Sequence, residues 1–539
     1  MIKKNLFILF ILISFNNYGQ TWEFINSFGG PEQDNGEDVA IDKSGNIYIT
    51  GSFDDTAYFG LDTVISHGED DWDIFTLKLN PNGEVLWVRA AGGSYWAADR
   101  SDNIVVDDNN NCYIAGEFYD TAQFDTITLN GSTYGSAFIA SYDTYGNLRW
   151  AKPITSTNYI RIKDLEINKN NTLYITGYFS GNANIDNNII SSTGEDFYFA
   201  VLDTSANANL VVKNDSHNSA AGLSIMTDNE SNIYLGGHFY DTLTISVDTI
   251  FNNSIRAKSF LAKYDSIGNY LWSKKIGGDN FGEASISDIK IDANNRIFIS
   301  GNFSNKLYFM SDSIDGNPSD FFLAKTTNNG QLIWLRGGGG TSSDQCYAID
   351  IDSKSNIYLA GSITDTIHCG AITLNADGTE VFIAKCDSSG NFIWADHSST
   401  TIISRAYGIS TDFDDYVYLT GFYRETIELG PFSLTTGLPD IFIAKINSHT
   451  MIEEVSNKDN NLLVYPNPSN NIITLNVNKN DIDLSNSVAY IYNNYGQLET
   501  MCEITKTTNV IDVSDLSNGI HFLVIRDDST TISNKFIKN

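Results

Sequence analysis

The sequence has 539 residues, of which 42% are hydrophobic and 12% aromatic, so it can build a large core. Asp and Glu (66) outnumber Lys and Arg (33), giving a net charge of −33. A field of this sign repels phosphate groups, which excludes non-specific binding to nucleic acid or to an anionic membrane surface. Charged residues make up only 18%, which excludes a disordered polyelectrolyte or a coiled coil.

Residues 1–20 have the pattern of a signal peptide. Lys3 and Lys4 precede an apolar run of ten residues, 6–15, and a short polar stretch follows. A membrane-spanning helix needs about 20 apolar residues, so we predict export with removal of this segment. No later segment is long and apolar enough to span a membrane, so we predict a mature chain without a membrane span.

Five cysteines form an odd number and contain no CxxC pair. An exported disulfide framework would be even and denser, so we interpret them as core or strand residues.

An internal repeat dominates residues 21–447. A phrase centred on a glycine returns at spacings of 60 to 65 residues, with an aromatic three residues before it. An Asp or Asn stands six residues before that aromatic, where its side chain can accept a backbone hydrogen bond and start a tight turn. The repeated glycines are Gly51, Gly116, Gly177, Gly237, Gly301, Gly361 and Gly421.

Each copy is predicted to hold four short antiparallel strands, at 38–42, 46–53, 73–80 and 84–90 in the first copy. Four such strands repeated seven times predict an all-β fold, a seven-bladed β-propeller. The seventh copy stops at Asn447 without its Trp-bearing strand, and a spare strand of that kind lies at 22–30. We therefore expect the N-terminal strand to complete the last blade and close the ring.

These repeats resemble the SBBP family, seven-bladed β-propeller repeats of secreted bacterial proteins, over about residues 22–447. The resemblance implies the propeller fold and says little about chemistry.

A different pattern occupies residues 462–539, after a polar linker at 448–461. It resembles the type A C-terminal sorting domain of the type IX secretion system of Bacteroidetes, although His521 stands where that family usually has Tyr. The resemblance implies a small Ig-like β-sandwich that binds the outer-membrane translocon, and delivery through the periplasm to the cell surface or the medium. An ordinary adhesive sandwich domain is the alternative. The motif residues are Pro466, Asn467, Pro468, Gly496, Gly519, Lys535 and Lys538.

Sequence motifs give no support for catalysis or metal binding. The seven histidines show neither HExxH nor paired spacing, and neither a G-x-S-x-G elbow nor a Walker loop occurs. Calcium could in principle bind at the repeated Asp-x-x-Gly loops, because it prefers oxygen ligands. Each loop is too short to supply a full coordination shell, so the formation of tight turns explains the repeated motif better. We therefore predict no catalytic residue, metal or cofactor.

A second recurring phrase, such as Asp55-Thr56-Ala57, resembles the O-glycosylation acceptor pattern of exported Bacteroidetes proteins. A simple turn is the favoured alternative, because Asp and Thr both suit turns.

We predict an exported, non-enzymatic binding or scaffold protein. The alternatives are a polysaccharide hydrolase or lyase, which would need a pair of carboxylates, and an adhesion-like surface component. Regular repeat lengths of 60 to 65 residues favour a binding protein, because a catalytic propeller more often carries one long irregular loop.

The binding face is predicted from the connections between strands. The second-to-third connection and the connection between blades are long and emerge on one face of the ring, where recognition usually lies. Aromatic and Arg side chains there suit a glycan or a protein ligand, although each aromatic could instead fill a gap between blades. The candidate binding residues are Tyr95, Trp96, Tyr159, Arg161, Phe281 and Arg405.

Overall fold

The chain folds into two compact units, Met1–Ser448 and His449–Asn539. The computed structural model describes residues 20–68, 71–94, 98–278, 281–317, 319–400 and 402–448 of the first unit. In the second unit it describes 462–469, 471–477, 487–493, 498–514, 516, 518–526 and 531–538. The signal peptide and the linker predicted from the sequence lie almost wholly outside these ranges. Over the described part of the chain, no helix is long and apolar enough to cross a membrane.

The first unit consists of β1 (Thr21–Phe28) followed by seven groups of antiparallel strands, here called modules 1 to 7. Modules 1 to 6 each have four main strands, and module 7 has three. Module 1 comprises β2 (Asp34–Ile41), β3 (Ile47–Asp54), the hairpin β4 (Thr56–Phe59) and β5 (Asp62–Ile65), β6 (Trp72–Leu79) and β7 (Val85–Gly92). Module 2 comprises β8 (Arg100–Val106), β9 (Cys112–Phe118), the hairpin β10 (Thr121–Phe124) and β11 (Ile127–Asn130), β12 (Ser136–Tyr142) and β13 (Leu148–Ser156). Module 3 comprises β14 (Tyr159–Ile167), β15 (Leu173–Ile185), β16 (Asn188–Leu202) and β17 (Ala208–Ser216).

The remaining modules follow the same plan. Module 4 comprises β18 (Ser219–Thr227), β19 (Ile233–Tyr240), the hairpin β20 (Thr242–Ile245) and β21 (Asp248–Phe251), β22 (Lys258–Tyr264) and β23 (Tyr270–Gly278). Module 5 comprises β24 (Ala284–Ile291), β25 (Ile297–Phe303), the hairpin β26 (Lys306–Phe309) and β27 (Asp312–Asp315), β28 (Asp320–Thr326) and β29 (Leu332–Gly340). Module 6 comprises β30 (Gln345–Ile351), β31 (Ile357–Cys369), β32 (Ile372–Cys386), β33 (Phe392–His397) and β34 (Ser399–Thr400), which follows β33 and pairs with the hairpin of module 7. Module 7 comprises β35 (Ile403–Thr411), β36 (Tyr416–Arg424), the hairpin β37 (Thr426–Leu429) and β38 (Phe432–Thr435), and β39 (Asp440–Asn447).

Neighbouring modules are joined in two ways. The hairpin between the second and third strands reaches back to the preceding module, as where β10 pairs with β7 and β26 pairs with β23. The first strands also contact one another in the order β2, β8, β14, β18, β24, β30, β35, and β35 contacts β2. The N-terminal β1 pairs antiparallel with β39, with Thr21 opposite Asn447. Among the described residues the backbone pairing forms several sheets, and none of them closes on itself.

Two expectations about the repeat unit were wrong. The first strand of module 1 begins at Asp34, four residues earlier than expected, and the second-to-third connection is a β-hairpin instead of a loop. The hairpin follows a residue with a left-handed backbone, such as Asp55 at φ 55° and Asp120 at φ 58°. Asp tolerates this conformation better than most residues, which explains the Asp of the repeated Asp-Thr phrase.

Buried aliphatic and aromatic side chains fill the spaces between sheets, in clusters that each draw on adjacent modules. The predicted turn at the repeated Asp is confirmed: the Oδ1 atom of Asp42 accepts the backbone N–H groups of Ser44 and Asn46, both at 2.9 Å. The cysteines are free and lie in strands, four of them buried, as expected for core residues.

The second unit contains two antiparallel sheets packed on one cluster of buried side chains. One sheet comprises β40 (Leu462–Tyr465), β41 (Ile472–Val477) and β44 (Thr508–Asp512). The other comprises β42 (Ser487–Tyr492), β43 (Leu498–Ile504), β45 (Gly519–Arg526) and β46 (Thr531–Lys538).

The Pro-Asn-Pro segment at the start of this unit is tied to its last strand. The Nδ2 atom of Asn467 donates to the carbonyl of Lys535 at 3.1 Å, and Oδ1 accepts the backbone N–H of Ile537 at 2.9 Å. His521 is buried, stacks on Phe536 and lies 2.7 Å from the Glu499 carboxylate. The motif residues at both ends of the unit therefore hold each other in place, whereas Gly496 lies outside the described residues.

Pairs of buried carboxyl groups lie at three junctions between modules. Asp34 and Asp440 both lie beside Gly29, where a Cβ would stand 2.6 Å from an oxygen of each. The corresponding pairs are Asp73 with Asp99 and Asp320 with Asp344. Burial, followed by repulsion within the pair, raises the pKa of Asp34 and of Asp99 to about 8.

These pairs predict that the first unit loses stability as the pH rises. A carboxyl group whose pKa is higher in the folded state contributes stability below its unfolded pKa of about 4, and loses that contribution as the pH passes its folded pKa. We expect the free energy of unfolding in urea to be higher at about pH 5 than at about pH 9. Asp34→Asn should reduce this difference in unfolding free energy between the two pH values by roughly 2 kcal/mol. The control substitution Asp62→Asn, at an exposed position, should leave the difference unchanged. A pH dependence unaltered by Asp34→Asn would contradict the assignment.

The anchoring of β1 predicts a large effect of one residue. The Trp22 side chain is 8% exposed, and its Nε1 donates to the Asp396 carboxylate at 3.2 Å. Trp22→Ala should lower the free energy of unfolding by about 3–5 kcal/mol, because it leaves a cavity and a lost hydrogen bond. The measurement is urea unfolding, with Leu61→Ala on the exposed hairpin turn of module 1 as the control. Equal stability of the two variants would mean that β1 contributes little.

Candidate functional site

Each first strand carries a β-bulge that determines what faces the space enclosed by these strands, here called the central channel. The bulge brings a carbonyl of the first strand over the repeated glycine: a Cβ at Gly51 would lie 2.0 Å from the carbonyl oxygen of Asn35. A bulge leaves one residue outside the pairing and re-aims its side chain. The bulged residues are Glu37, Asp102, Lys163, Leu223, Ser287, Tyr347 and Tyr407.

The residue after the bulge joins adjacent first strands. The carboxylates of Asp38, Asp164 and Asp288 accept the backbone N–H groups of Ile104, Ile225 and Ile349 in the next module, at 2.9, 2.7 and 3.0 Å. These N–H groups have no strand partner on that side, and a buried N–H must find an acceptor. The three carboxylates therefore join the first strands of modules 1 and 2, of modules 3 and 4, and of modules 5 and 6.

Deeper in the channel a single lysine faces several carboxylates. The Nζ atom of Lys290 lies 3.9 Å from Asp288, and burial alone would lower its pKa, but Asp288, Asp350, Glu166 and Asp164 raise the pKa overall. Burial raises the pKa of Glu166 to about 8. These groups come from modules 3, 5 and 6, so they share one central space.

At the channel mouth, two arginines share one carboxylate. Arg100 Nη2 lies 2.5 Å from Glu117 Oε1, and Arg161 forms an ion pair with the other oxygen of the same carboxylate. Arg161 also donates to the Tyr119 hydroxyl at 2.8 Å and lies over the rings of Tyr119 and Tyr159. Asp102 pairs with Arg100 at 3.6 Å and with Lys163 at 3.2 Å, so this side of the mouth is a network of ion pairs.

An aromatic cluster forms the other side of the mouth. The rings of Tyr347 and Tyr407 are 5.1 Å apart, and those of Tyr407 and Phe422 are 5.8 Å apart. Arg405 lies beside them and hydrogen-bonds to Tyr407. Its Nε atom is buried and has no hydrogen-bond acceptor among the described residues. The mouth therefore combines a side of ion-paired arginines with a side of edge-to-face and tilted aromatic rings.

Three of the residues predicted from the sequence lie at this mouth. Tyr159 and Arg161 belong to β14 and Arg405 to β35, so they lie in first strands and not in the connections where they were expected. Tyr159 donates to Glu195 at 3.0 Å, so part of its role is to hold β14 to β16 within module 3. Phe281 is 78% exposed in the connection before β24. Tyr95 and Trp96 lie outside the described residues.

Sequence reasoning missed Arg100, Glu117, Tyr347 and Tyr407. Arg100, Arg161 and Arg405 each stand two residues before the bulged residue, so an alignment of the seven copies at the bulge would have found the third arginine. The aromatics could not be found this way, because the bulged position holds a different residue type in most modules.

The described residues do not offer an evident metal centre. They contain no group of three or more His, Cys, Asp or Glu side chains placed to hold a metal ion. The Asp of the repeated Asp-x-x-Gly turn is engaged in its own loop: Asp143 accepts two backbone N–H groups and the Asn147 amide. The arrangement at the mouth is suited to recognition by charge and stacking.

Comparison with known proteins identifies both parts of the chain. The family described as beta-propeller repeat (SBBP) matches residues 28–52, and the family described as secretion system C-terminal sorting domain matches residues 463–539. A WD repeat-containing protein of Acanthamoeba polyphaga mimivirus is 24% identical, with 68% of this chain and 33% of that protein covered. The chain thus spans about a third of the length of that relative.

Solved structures with a similar chain trace have low identity. A protein of unknown function from Dyadobacter fermentans is 9% identical, with a TM-score of 0.38 and coverage of 80% of this chain and 99% of that one. A puromycin hydrolase is also 9% identical, with a TM-score of 0.41 and coverage of 83% and 58%. TM-scores in this range establish no shared activity. The two family matches confirm the resemblances seen in the sequence: the chain carries a β-propeller repeat of the SBBP type and a type IX secretion C-terminal sorting domain, which indicates export from the cell.

Proposed function

We propose that the protein works outside the cell as a non-enzymatic binding or scaffold protein whose ligand binds at the mouth of the central channel. The sorting domain supports export, and the propeller repeat fits a rigid scaffold for recognition. Whether the protein stays attached to the cell surface is independent of this proposal.

The proposal includes a closed seven-bladed propeller, with the modules as blades and β1 as the fourth strand of the seventh blade. Pairing of β1 with β39 supports it, as does the contact between the first strands of modules 7 and 1. The backbone of Gly29 also exchanges hydrogen bonds with Tyr58 in the module 1 hairpin, the same junction that the other hairpins make. The sorting domain is proposed to be an Ig-like sandwich that binds the translocon.

The ligand that this mouth suits best is a glycan bearing carboxylate groups. The observation that carries this is the guanidinium of Arg405, which lies beside the edge-to-face rings of Tyr347 and Tyr407 and hydrogen-bonds to Tyr407. A guanidinium offers five donors in a planar fork, which suits a carboxylate group of a ligand. The faces of Tyr347 and Tyr407 can pack against the apolar face of a sugar ring.

The alternative of a polysaccharide hydrolase or lyase is supported less well. A glycosidase needs two carboxylates available to its substrate, one as an acid and one as a base or nucleophile. In the channel, Asp38, Asp164 and Asp288 are each engaged by a backbone N–H of the next module. Their arrangement is explained by the cohesion of the ring.

The sorting domain predicts a change of location on truncation. A chain that ends at residue 461 should fold but accumulate in the periplasm, because the first unit is compact by itself and the export signal is absent. Cell fractionation and immunoblotting of the medium provide the measurement, with the full chain as the control. Secretion of the truncated chain at the normal level would refute this role of the second unit.

The mouth predicts which substitutions weaken binding. On an array of neutral and uronic-acid oligosaccharides, we expect the protein to bind acidic members and Arg405→Gln to bind them about tenfold more weakly, because a charge-assisted hydrogen bond is lost. Tyr407→Ala should weaken binding several-fold through lost stacking. Arg336→Gln is the matched control, since Arg336 lies over Trp334 on a fourth strand. Binding unchanged in Arg405→Gln would exclude the mouth, and production of shorter oligosaccharides would favour the enzyme alternative.

A further inference from the structure

Module 5 departs from modules 1, 4 and 6 at the repeated Asp turn, on the end of the strands opposite the channel mouth. In module 1 the second carboxylate oxygen of Asp42 accepts the Asn46 amide at 2.8 Å and the Tyr48 hydroxyl at 3.2 Å, and Lys78 Nζ lies 3.8 Å away. Modules 4 and 6 keep the same four residue types and the same contacts.

Module 5 has Arg296 in place of the Asn and Phe298 in place of the Tyr. Asp292 still forms the turn by accepting the backbone N–H groups of Asn294 and Arg296, at 2.9 and 2.8 Å. The amide and hydroxyl that would fill the space beyond it are missing. Lys325, which corresponds to Lys78, lies over the Phe298 ring with Nζ 4.6 Å from its centre and donates to the carbonyl of Ser388 at 3.0 Å.

A cavity of about 320 Å³ lies beside these residues, at the junction of modules 5 and 6. Its lining holds three cationic side chains and one carboxylate, in a chain with a net charge of −33. The neighbouring Asp387 is engaged by its own turn, since it accepts two backbone N–H groups and the Asn391 amide. The lining residues are Asp292, Asn294, Arg296, Lys325, Lys354, Ser355 and Ser388.

We propose that this cavity binds a dianionic oxyanion group, a sulfate or phosphate, carried by a ligand or free in solution. Arg296 offers a planar pair of donors, Lys325 and Lys354 offer point charges, and the hydroxyls of Ser355 and Ser388 can donate further hydrogen bonds. The volume is at the small end of the range for ligand sites, which suits a head group and not a long chain. Burial lowers the pKa of Lys325, so a bound anion would also stabilise its charged form. This site is separate from the channel mouth, and its occupancy does not depend on the function proposed above.

The test is titration calorimetry of the full protein with sodium sulfate, sodium phosphate and sodium acetate at constant ionic strength. We expect both dianions to bind at least about tenfold more tightly than acetate, since three cations converge on the site. Sulfate and phosphate monoesters of sugars show whether the natural anion is free or is part of a larger ligand. Tighter binding of an ester than of its free anion would identify a group carried by a ligand, and equal binding would identify the free ion. Absence of dianion binding would overturn the proposal.

Two variants locate the site. The double substitution Arg296→Asn with Phe298→Tyr restores the residues of modules 1, 4 and 6, so it should fold normally and bind sulfate at least about tenfold more weakly. Lys354→Gln should weaken binding in the same direction. Lys43→Gln, on the same end of the strands, removes a cation paired with Asp108 and should leave binding unchanged. A crystal soaked in selenate should show its anomalous peak among Arg296, Lys325 and Lys354; a peak only elsewhere, or an equal loss in Lys43→Gln, would overturn the proposal.

Discussion

Seven first strands meet around one space, and each pairs along its length only with the second strand of its own module. Their inner backbone edges cannot form a further sheet, because the strands converge on a centre. Each first strand has one bulge, and in modules 1, 3, 4 and 5 the side chain after it, such as Asp38 or Asp288, accepts an N–H of the next first strand. Modules 6 and 7 have Ala348 and Gly408 at that position, so cohesion constrains it at some junctions only. The bulged position differs between most modules and can carry recognition.

The sequence predicted the repeat well because the residues that define it act locally. Asp42 closes its own turn, and Gly51 is required because the first-strand carbonyl passes over it, so both recur in fixed positions. The hairpin formed by 56–59 and 62–65 was missed because its strands are short and vary between copies. Arg161 and Arg405 were singled out as candidate residues, but they were expected in connections between blades and lie in first strands. Strand pairing is needed to show where each first strand begins and where its bulge lies.

Variation between copies is more informative about function than the repeat itself. The shared residues explain cohesion, whereas the channel mouth carries ion pairs in modules 2 and 3 and aromatic rings in modules 6 and 7. In a chain this acidic, a cation introduced where other copies have a neutral residue is informative. Arg296 is such a cation, because modules 1, 4 and 6 have Asn at that position.

The pairing of Thr21 with Asn447 has a consequence for how the chain acquires its structure. The two strands are separated by nearly the whole first unit, so their contact carries a large entropic cost of loop closure and high contact order. Synthesis proceeds from the N-terminus, so β1 has no partner until the last strand of the first unit has been made, and until then β1 is an open edge prone to intermolecular pairing. A chain arrested before β39 would keep this edge exposed and would remain a template for aggregation.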